Sequence, residues 1–152
     1  MPRSAKSQFD SQRSDPARRS GESTGLDAAA TSHSAAMRVL LVEDDETIAA
    51  GLCFFLEEAG YLVEWSQVGS GVINKVIAEP PNLLILDVQL GDADGREIYR
   101  SLRNAGVFIP VVLVSGSEII TARELDDAAA FLAKPFAIAE LLRTASALLA
   151  AV

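Results

Sequence analysis

The sequence of 152 residues contains only one cysteine and one histidine, and this scarcity excludes several kinds of protein. A single cysteine, Cys53, cannot form an internal disulfide framework, and it fits a reducing compartment, so we expect a cytoplasmic protein. The only histidine, His33, lies in a polar N-terminal stretch and leaves the apolar remainder without a histidine base or metal ligand. No apolar run approaches the roughly 18 to 20 residues of a membrane span, so no membrane anchor is expected.

The chain also lacks an excess of basic residues, and its formal net charge is −8. Residues 1–36 hold five basic and four acidic groups, whereas residues 37–152 hold eight basic and 17 acidic groups, a net charge of −9. An acidic domain repels the phosphates of nucleic acids and offers no basic stripe to bind them. We therefore expect no nucleic-acid partner for the folded part.

The first 36 residues show no hydrophobic period, and Ser, Ala, Arg and Gly predominate among them. Such a segment cannot bury enough apolar surface to offset its ordering entropy, so a disordered tail is predicted. It has no apolar core of a secretory signal, and its four acids argue against an organellar transit peptide. Met37, the only other methionine, begins the apolar pattern and is an alternative translation start.

From Met37 onward, short apolar runs alternate with segments of helical spacing. Strands are predicted at 37–44, 61–66, 83–87, 109–115 and 130–133. Helices are predicted at 48–59, 72–77, 94–105, 121–128 and 138–149, the fourth from a weak pattern. This alternation favours an α/β domain over residues 37–152, with a parallel sheet covered by helices on both faces.

Polar residues lie at the carboxyl ends of four of these strands, where parallel sheets bind their ligands. They are Glu43, Asp44 and Asp45 at the end of strand one, Asp87 at the end of strand three, Ser115 at the end of strand four and Lys134 at the end of strand five. Carboxylates gathered at one edge repel each other unless a cation lies between them, and Mg²⁺ fits best. A carboxylate can attack phosphorus, and lysine and serine can bond the oxygens of the transferred group.

Some of these acids have a simpler explanation. Asp45 or Glu46 is expected to cap the first helix, because acids are favoured at helix N-termini. Asp92 and Asp94 are expected to solvate the loop and to cap the third helix.

From Met37 to about Val152 the sequence resembles the receiver domain of two-component response regulators. The segments that carry the resemblance are RVLLVEDD, LILDVQLGDADG, VVLVSG and FLAKPF. The resemblance implies a flavodoxin-like (βα)5 fold with strand order 2-1-3-4-5. Short versions of the fold occur among stand-alone and hybrid-kinase receivers, which this sequence resembles in LVSG and FLAKPF. We expect a stand-alone receiver because the sequence ends at Val152.

The resemblance also implies roles for the polar residues. Asp87 is expected to accept the phosphoryl group, Asp44 to bind Mg²⁺ directly, and Glu43 to reach the ion through water. Gln89 is expected to offer its backbone carbonyl to the metal.

The remaining roles belong to the end of the fourth strand and to the fifth strand. Ser115 and Phe131 are expected to act as the switch pair, and Lys134 to bond the phosphoryl group beside a frequently cis bond to Pro135.

The implied partners are a histidine kinase or histidine phosphotransfer protein as donor and a downstream protein as target. The target is expected to bind the face formed by the fourth helix, fifth strand and fifth helix. The domain is not expected to be an enzyme beyond promoting its own phosphorylation and dephosphorylation.

Two departures from the family pattern stand out. Leu90-Gly91 occupies a place where the family usually has Leu-Pro, and only 19 positions separate Ser115 from Lys134, which predicts a shortened or irregular fourth helix.

Two other functions stay open at this point. An Mg²⁺-dependent phosphohydrolase also uses an aspartate nucleophile, but it typically needs a second aspartate where this chain has Gln89 and usually carries a cap domain. A receiver that serves as a fixed binding module without phosphorylation is the other. A dinucleotide-binding fold is excluded, because no G-x-G-x-x-G follows the first strand.

Overall fold

The computed structural model describes residues 35–117 and 119–152. Residues 1–34 of the predicted tail therefore lie outside the described residues. In the described part, five strands alternate with four α-helices and one 3₁₀ helix. In chain order they are β1 (Arg38–Val42), α1 (Glu46–Glu58), β2 (Leu62–Ser66), α2 (Val72–Ala78), β3 (Leu83–Asp87), α3 (Gly95–Asn104), β4 (Val111–Ser115), the 3₁₀ helix (Ala122–Glu124), β5 (Ala129–Ala133) and α4 (Ile138–Ala150). None of the helices in these ranges has the length and apolar character of a membrane span.

The five strands form one parallel sheet in the order β2-β1-β3-β4-β5, which confirms the predicted topology. Every residue of β3 and β4 is buried, as their continuous aliphatic runs predict for interior strands with helices on both faces. Because the strands are parallel, their carboxyl ends meet at one edge, and this edge holds the candidate site.

The core lies in two layers, one on each face of the sheet. Alternate strand residues such as Leu40 and Leu84 pack against α2 and α3. Their neighbours Leu41 and Ile85 point the other way and pack against α1 and α4. This alternation follows from the two-residue period of a strand, and it holds the strand ends rigidly in place.

The helix ends confirm the capping predicted for two of the acids. Asp45 accepts a hydrogen bond from the N–H of Ile48 at 3.0 Å, at the start of α1. Asp94 accepts one from the N–H of Arg96 at 2.8 Å, at the start of α3. Gly60, with φ of 99°, ends the turn after α1 in the left-handed region that glycine tolerates.

The segment between β4 and β5 differs from the weak helix predicted over 121–128. Among its described residues only Ala122–Glu124 are helical, as a 3₁₀ turn. The carboxylate of Asp126 accepts hydrogen bonds from the N–H of Ala128 at 2.9 Å, the hydroxyl of Tyr99 at 2.9 Å and Arg103 Nη2 at 3.2 Å. These bonds hold the chain in a turn at Asp126. The fourth helix, which was predicted to be shortened or irregular, is therefore reduced to a 3₁₀ turn among the described residues.

Candidate functional site

Asp87 is the last residue of β3, and its carboxylate lies at the carboxyl edge of the sheet. Its side chain is 6% exposed, and Oδ1 accepts a hydrogen bond from the N–H of Gln89 at 2.9 Å. Oδ2 lies 2.9 Å from Nζ of Lys134. The carboxylate that interrupts the apolar run is therefore held in a fixed orientation by one backbone and one charged donor.

Glu43 and Asp44 follow β1 directly and lie beside Asp87. Oxygen atoms of the three carboxylates all lie within 4.8 Å of one another. Glu43 is 1% exposed, and its Oε1 accepts a hydrogen bond from Lys134 at 2.9 Å. Its Oε2 is buried and receives no hydrogen bond from the described residues. An all-oxygen cluster with one buried, unsatisfied oxygen fits a hard divalent cation.

Lys134 joins the two halves of this cluster. It follows β5, and its N–H donates to the carbonyl of Ser115 at 2.8 Å, which anchors the loop to the end of β4. The peptide bond to Pro135 is cis, as the family resemblance implied. From this position Nζ reaches both Glu43 and Asp87, so one ammonium group balances part of the charge of two carboxylates.

The protonation of the cluster follows from this arrangement. Burial raises the pKa of Glu43 to about 7, and the neighbouring Asp87 carboxylate adds to the rise. Burial also opposes ionisation of Asp87, but the interaction with the neighbouring Glu43 and the hydrogen bonds from Lys134 and the Gln89 N–H hold the pKa of Asp87 below its ordinary value. Although burial acts to lower the pKa of Lys134, its bonds to Glu43 and Asp87 raise it. The cluster thus needs a proton or a further cation to balance its charge.

Ser115 lies at the same edge, and Phe131 lies deeper in the sheet. Ser115 is the buried last residue of β4, and its Oγ accepts a hydrogen bond from the N–H of Ser117 at 3.3 Å. Phe131 is half-buried in β5, opposite Leu113 in β4, and packs against the layer beneath α2 and α3. The structure therefore places the serine beside the acids and lysine, and the aromatic ring further along the neighbouring strand.

The loop after Asp87 closes without the proline that the family usually has. The N–H of Leu90 donates to the carbonyl of Ala93 at 3.2 Å, which closes the turn around Gly91. A Cβ atom at Gly91 would lie 3.7 Å from Oδ2 of Asp44, so this loop passes close to the acid pair. The carbonyl of Gln89 as a metal ligand stays a prediction.

Two residues near the site have roles that the sequence did not reveal. Asp92, expected to solvate the loop, accepts hydrogen bonds at 2.9 Å from the N–H groups of both Gly69 and Ser70. The bond from Gly69 is the main reason that the pKa of Asp92 is lowered. Asp92 thereby ties the loop after β2 to the loop after β3.

The second such residue is Gly95, the first residue of α3. A Cβ atom there would overlap the carbonyl oxygen of Asp87 and lie 2.8 Å from Cα of Val88. Its N–H donates to the carbonyl of Val88 at 2.8 Å. The Asp94-Gly95 pair was a sequence signal for a turn, but the steric need for glycine depends on contacts that only the folded chain makes.

Comparison with known proteins agrees with this geometry. Residues 39–146 match the family model described as the response regulator receiver domain. Two curated relatives are response regulator MprA from Mycobacterium leprae, 36% identical, and from Mycobacterium avium, 35% identical. Each match runs over 116 residues and covers 74% of this chain and 51% of the relative. The chain thus spans about half the length of these relatives.

Solved structures give the same result for the fold. A putative response regulator from Chloroflexus aurantiacus is 30% identical with a TM-score of 0.67, covering 76% of this chain and 99% of that one. The receiver domain of a signal transduction histidine kinase from Syntrophus aciditrophicus is 29% identical with a TM-score of 0.67, covering 77% and 92%.

Such domains are signalling modules of two-component systems rather than classical enzymes, and phosphorylation on aspartate is a general property of the family. The matched residues include the β1 acids, Asp87, Ser115 and Lys134 at one edge of a five-stranded parallel sheet. The chain belongs to the response regulator receiver domain family.

Proposed function

We propose that Asp87 accepts a phosphoryl group from a histidine kinase or histidine phosphotransfer protein, with Mg²⁺, and that phosphorylation changes the binding of a downstream protein. One observation carries this proposal. The Asp87 carboxylate lies beside the acid pair Glu43–Asp44, and the ammonium group of Lys134 contacts both Asp87 and Glu43, whose other carboxylate oxygen is buried without a hydrogen bond from the described residues. Glu43, Asp44 and Asp87 would hold the Mg²⁺ ion, together with the carbonyl of Gln89.

In the transfer, an Asp87 carboxylate oxygen attacks the phosphorus of a phosphohistidine. A P–O bond forms, the P–N bond breaks, and the electron pair of that bond returns to the imidazole nitrogen. Bound Mg²⁺ would supply positive charge close to the phosphoryl oxygens. Lys134, freed from Asp87 Oδ2, supplies a second positive charge, and the Ser115 hydroxyl donates a hydrogen bond to another phosphoryl oxygen.

Dephosphorylation by water uses the same residues. Attack of a water molecule on phosphorus breaks the P–O bond to Asp87 and releases inorganic phosphate. The charges that stabilise the first transfer also stabilise this one, so we propose that the domain promotes its own dephosphorylation. This reaction would end the signal and is not turnover of a substrate.

The surface next to Lys134 suits the docking of a protein donor. Because the Asp87 side chain is nearly buried, a donor histidine has to be held close to the site to reach it. A groove of about 380 Å³ borders Lys134 and is lined otherwise by Ile48, Leu52, Pro135 and Phe136. An apolar groove beside the acceptor supports recognition of an amphipathic helix that carries the donor histidine.

We propose that the output passes through β4 and β5. Ser115 and Lys134 belong to adjacent strand ends, and both would shift toward a phosphoryl group on Asp87. Phe131, two residues before the end of β5, would then pack inward and change the face formed by the 3₁₀ helix, β5 and α4. In free-energy terms the phosphoryl group biases an equilibrium between two arrangements of this face.

The test is incubation of the full chain with Mg²⁺ and acetyl phosphate, followed by intact mass. We expect one phosphoryl group on the wild type and none on Asp87→Asn. Absence of labelling from acetyl phosphate and from any cognate kinase would favour a fixed binding module instead. Sustained hydrolysis of a phosphate ester would favour a phosphohydrolase.

The absence of nucleic-acid binding by the acidic domain also stays a prediction, which a DNA titration of residues 37–152 checks.

A further inference from the structure

The end of β2 holds the backbone of the acid pair through three hydrogen bonds. The N–H of Glu43 donates to the carbonyl of Ser66 at 3.1 Å. The indole N–H of Trp65 donates to the carbonyl of Glu43 at 2.8 Å, and Nε2 of Gln67 donates to the carbonyl of Asp44 at 3.3 Å. An edge strand with no side chain among the candidate ligands therefore contacts both acids.

These three bonds are not equivalent. The bond to Ser66 is a main-chain bond that continues the β1–β2 ladder, so almost any residue can supply it. Gln67 is exposed, and its bond is the longest of the three. The bond from Trp65 is short and depends on the side chain, because its donor is the indole N–H and not the main chain.

The hydrogen bond from Trp65 affects the orientation of the acid pair because of the atom that it contacts. The carbonyl of Glu43 belongs to the peptide group that links Glu43 to Asp44. Fixing this oxygen fixes the plane of that peptide, and hence the relative directions of the two side chains. The constraint matters most for Asp44, because Asp44 is exposed and packing does little to orient its carboxylate.

Packing makes the Trp65 side chain a rigid support. The ring is half-buried and packs against the core layer beneath α1 and α4, together with Val63 on the same face of β2. A ring held by this core has little freedom to move its N–H away from Glu43. Trp65 is also the only tryptophan of the chain, which allows a site-specific test.

We propose that Trp65 is a positioning residue for the Mg²⁺ site, whose indole N–H orients the Glu43–Asp44 peptide so that both carboxylates face Asp87. This role rests on the proposed function, because it requires the acid pair to bind Mg²⁺. Trp65 contacts neither the metal nor the phosphoryl group. Its effect lies in the affinity for Mg²⁺ and not in the chemistry at Asp87.

The test is calorimetric titration of the full chain with MgCl₂. Trp65→Phe keeps an aromatic ring but removes the donor, and we expect Kd for Mg²⁺ to rise about five-fold, as for one lost hydrogen bond. Val63→Ala removes packing from the same face of β2, and we expect it to lower Tm without changing Kd. At saturating Mg²⁺, the rate of phosphorylation of Trp65→Phe by acetyl phosphate should return to the wild-type level.

A second substitution keeps the test decisive if Trp65→Phe folds poorly. Incorporation of 3-benzothienylalanine in place of tryptophan exchanges the indole N–H for sulfur at Trp65 alone and preserves the ring shape. A Kd within two-fold of the wild type for both substitutions, or an equal rise in Val63→Ala, would overturn the role of Trp65. If the wild type itself binds no Mg²⁺, or if Asp44→Asn binds it equally well, the Mg²⁺ site in the proposed function is overturned as well.

Discussion

Gly95 packs so closely against Asp87 that even a methyl group on its Cα would overlap the Asp87 carbonyl oxygen. The atoms that this methyl group would meet belong to the backbone of Asp87 and Val88, so no flexible side chain can move aside. The first turn of α3 and the end of β3 therefore share one fixed geometry, and the position of Asp87, the proposed phosphoacceptor, depends on it.

Replacing Gly95 by alanine should displace the backbone that carries the Asp87 carboxylate. We expect Gly95→Ala to lower the free energy of unfolding by about 1 to 3 kcal/mol, the usual cost of overpacking. Misplacement of a nucleophile by even 1 Å is costly, so phosphorylation by acetyl phosphate should slow by roughly 10- to 100-fold. Urea unfolding and the rate of mass gain measure the two effects.

Gly51 provides the matched control. It lies within α1, and a Cβ atom there would have no neighbour within 4 Å. Gly51→Ala should therefore stabilise the protein by up to about 1 kcal/mol, because alanine is the better helix former. Wild-type stability and rate in Gly95→Ala would contradict the steric role of Gly95.

Loss of Lys134 should separate phosphorylation from signalling. In Lys134→Ala, Asp87 keeps its position at the end of β3, so some phosphorylation should remain, slower by roughly 100-fold for lack of one charged donor. The link between the phosphoryl group and β5 is lost. Hydrogen exchange at 115–134 should change on phosphorylation in the wild type but not in Lys134→Ala.

Arg143 on α4 supplies a control for the loss of a positive charge. It is exposed and lies outside the acid cluster, so Arg143→Ala should retain the wild-type exchange response. A full response in Lys134→Ala would show that the signal reaches β5 by another route.

The Asp126 turn should make stability depend on pH in a defined direction. Burial opposes ionisation of Asp126, but the Arg103 guanidinium, the Tyr99 hydroxyl and the Ala128 N–H lower its pKa. Its stabilisation is therefore fully present above the unfolded pKa of about 3.9 and is lost as pH falls through the lower folded pKa.

Substitution of Asp126 tests this dependence. Asp126→Asn leaves Arg103, whose side chain is 10% exposed, without its carboxylate partner, and should cost about 2 kcal/mol at pH 7. In urea titrations, the difference in free energy of unfolding between Asp126→Asn and the wild type should become smaller below about pH 4. Asp127→Asn, at the exposed next residue, should show little difference at either pH. An Asp126→Asn difference that is constant with pH would contradict an ionised Asp126.

The link between the loops after β2 and β3 should be visible in the exchange of two amide protons. Asp92→Ala removes both acceptors from Gly69 and Ser70, and their exchange should accelerate by roughly three- to ten-fold, as for one hydrogen bond at each amide. Asp92→Asn keeps one acceptor oxygen and should protect one of the two amide protons from exchange. Unchanged exchange of both amides in Asp92→Ala would rule out the link.

Much of the fold and of the site could be predicted because both depend on strong local patterns. The runs before Asp87 and Ser115 are apolar at every position, which suits interior parallel strands, and parallel strands gather their carboxyl ends at one edge. That geometry places Glu43, Asp87 and Lys134 at the same edge, whereas the strand order that brings them together was implied by the family resemblance.

The remaining features depend on contacts between distant segments, which local patterns do not encode. The turn at Asp126 is fixed by Tyr99 and Arg103, which lie 27 and 23 positions earlier. Asp92 has the sequence context of a solvent-exposed loop acid, and its bonds to Gly69 appear only when two loops meet. These tertiary contacts override the weak helical spacing over 121–128.

The bond between Lys134 and Glu43 joins residues 91 positions apart, and this separation has a consequence for biosynthesis. A nascent chain that has exposed β1 and β3 but not yet β5 already carries Asp87 and the acid pair without the lysine. Such a chain lacks the group that, in the proposed function, couples Asp87 to the rest of the domain. If that function holds, a kinase that meets unfinished polypeptides on the ribosome would elicit no response from them, because competence to signal would require synthesis of the last strand.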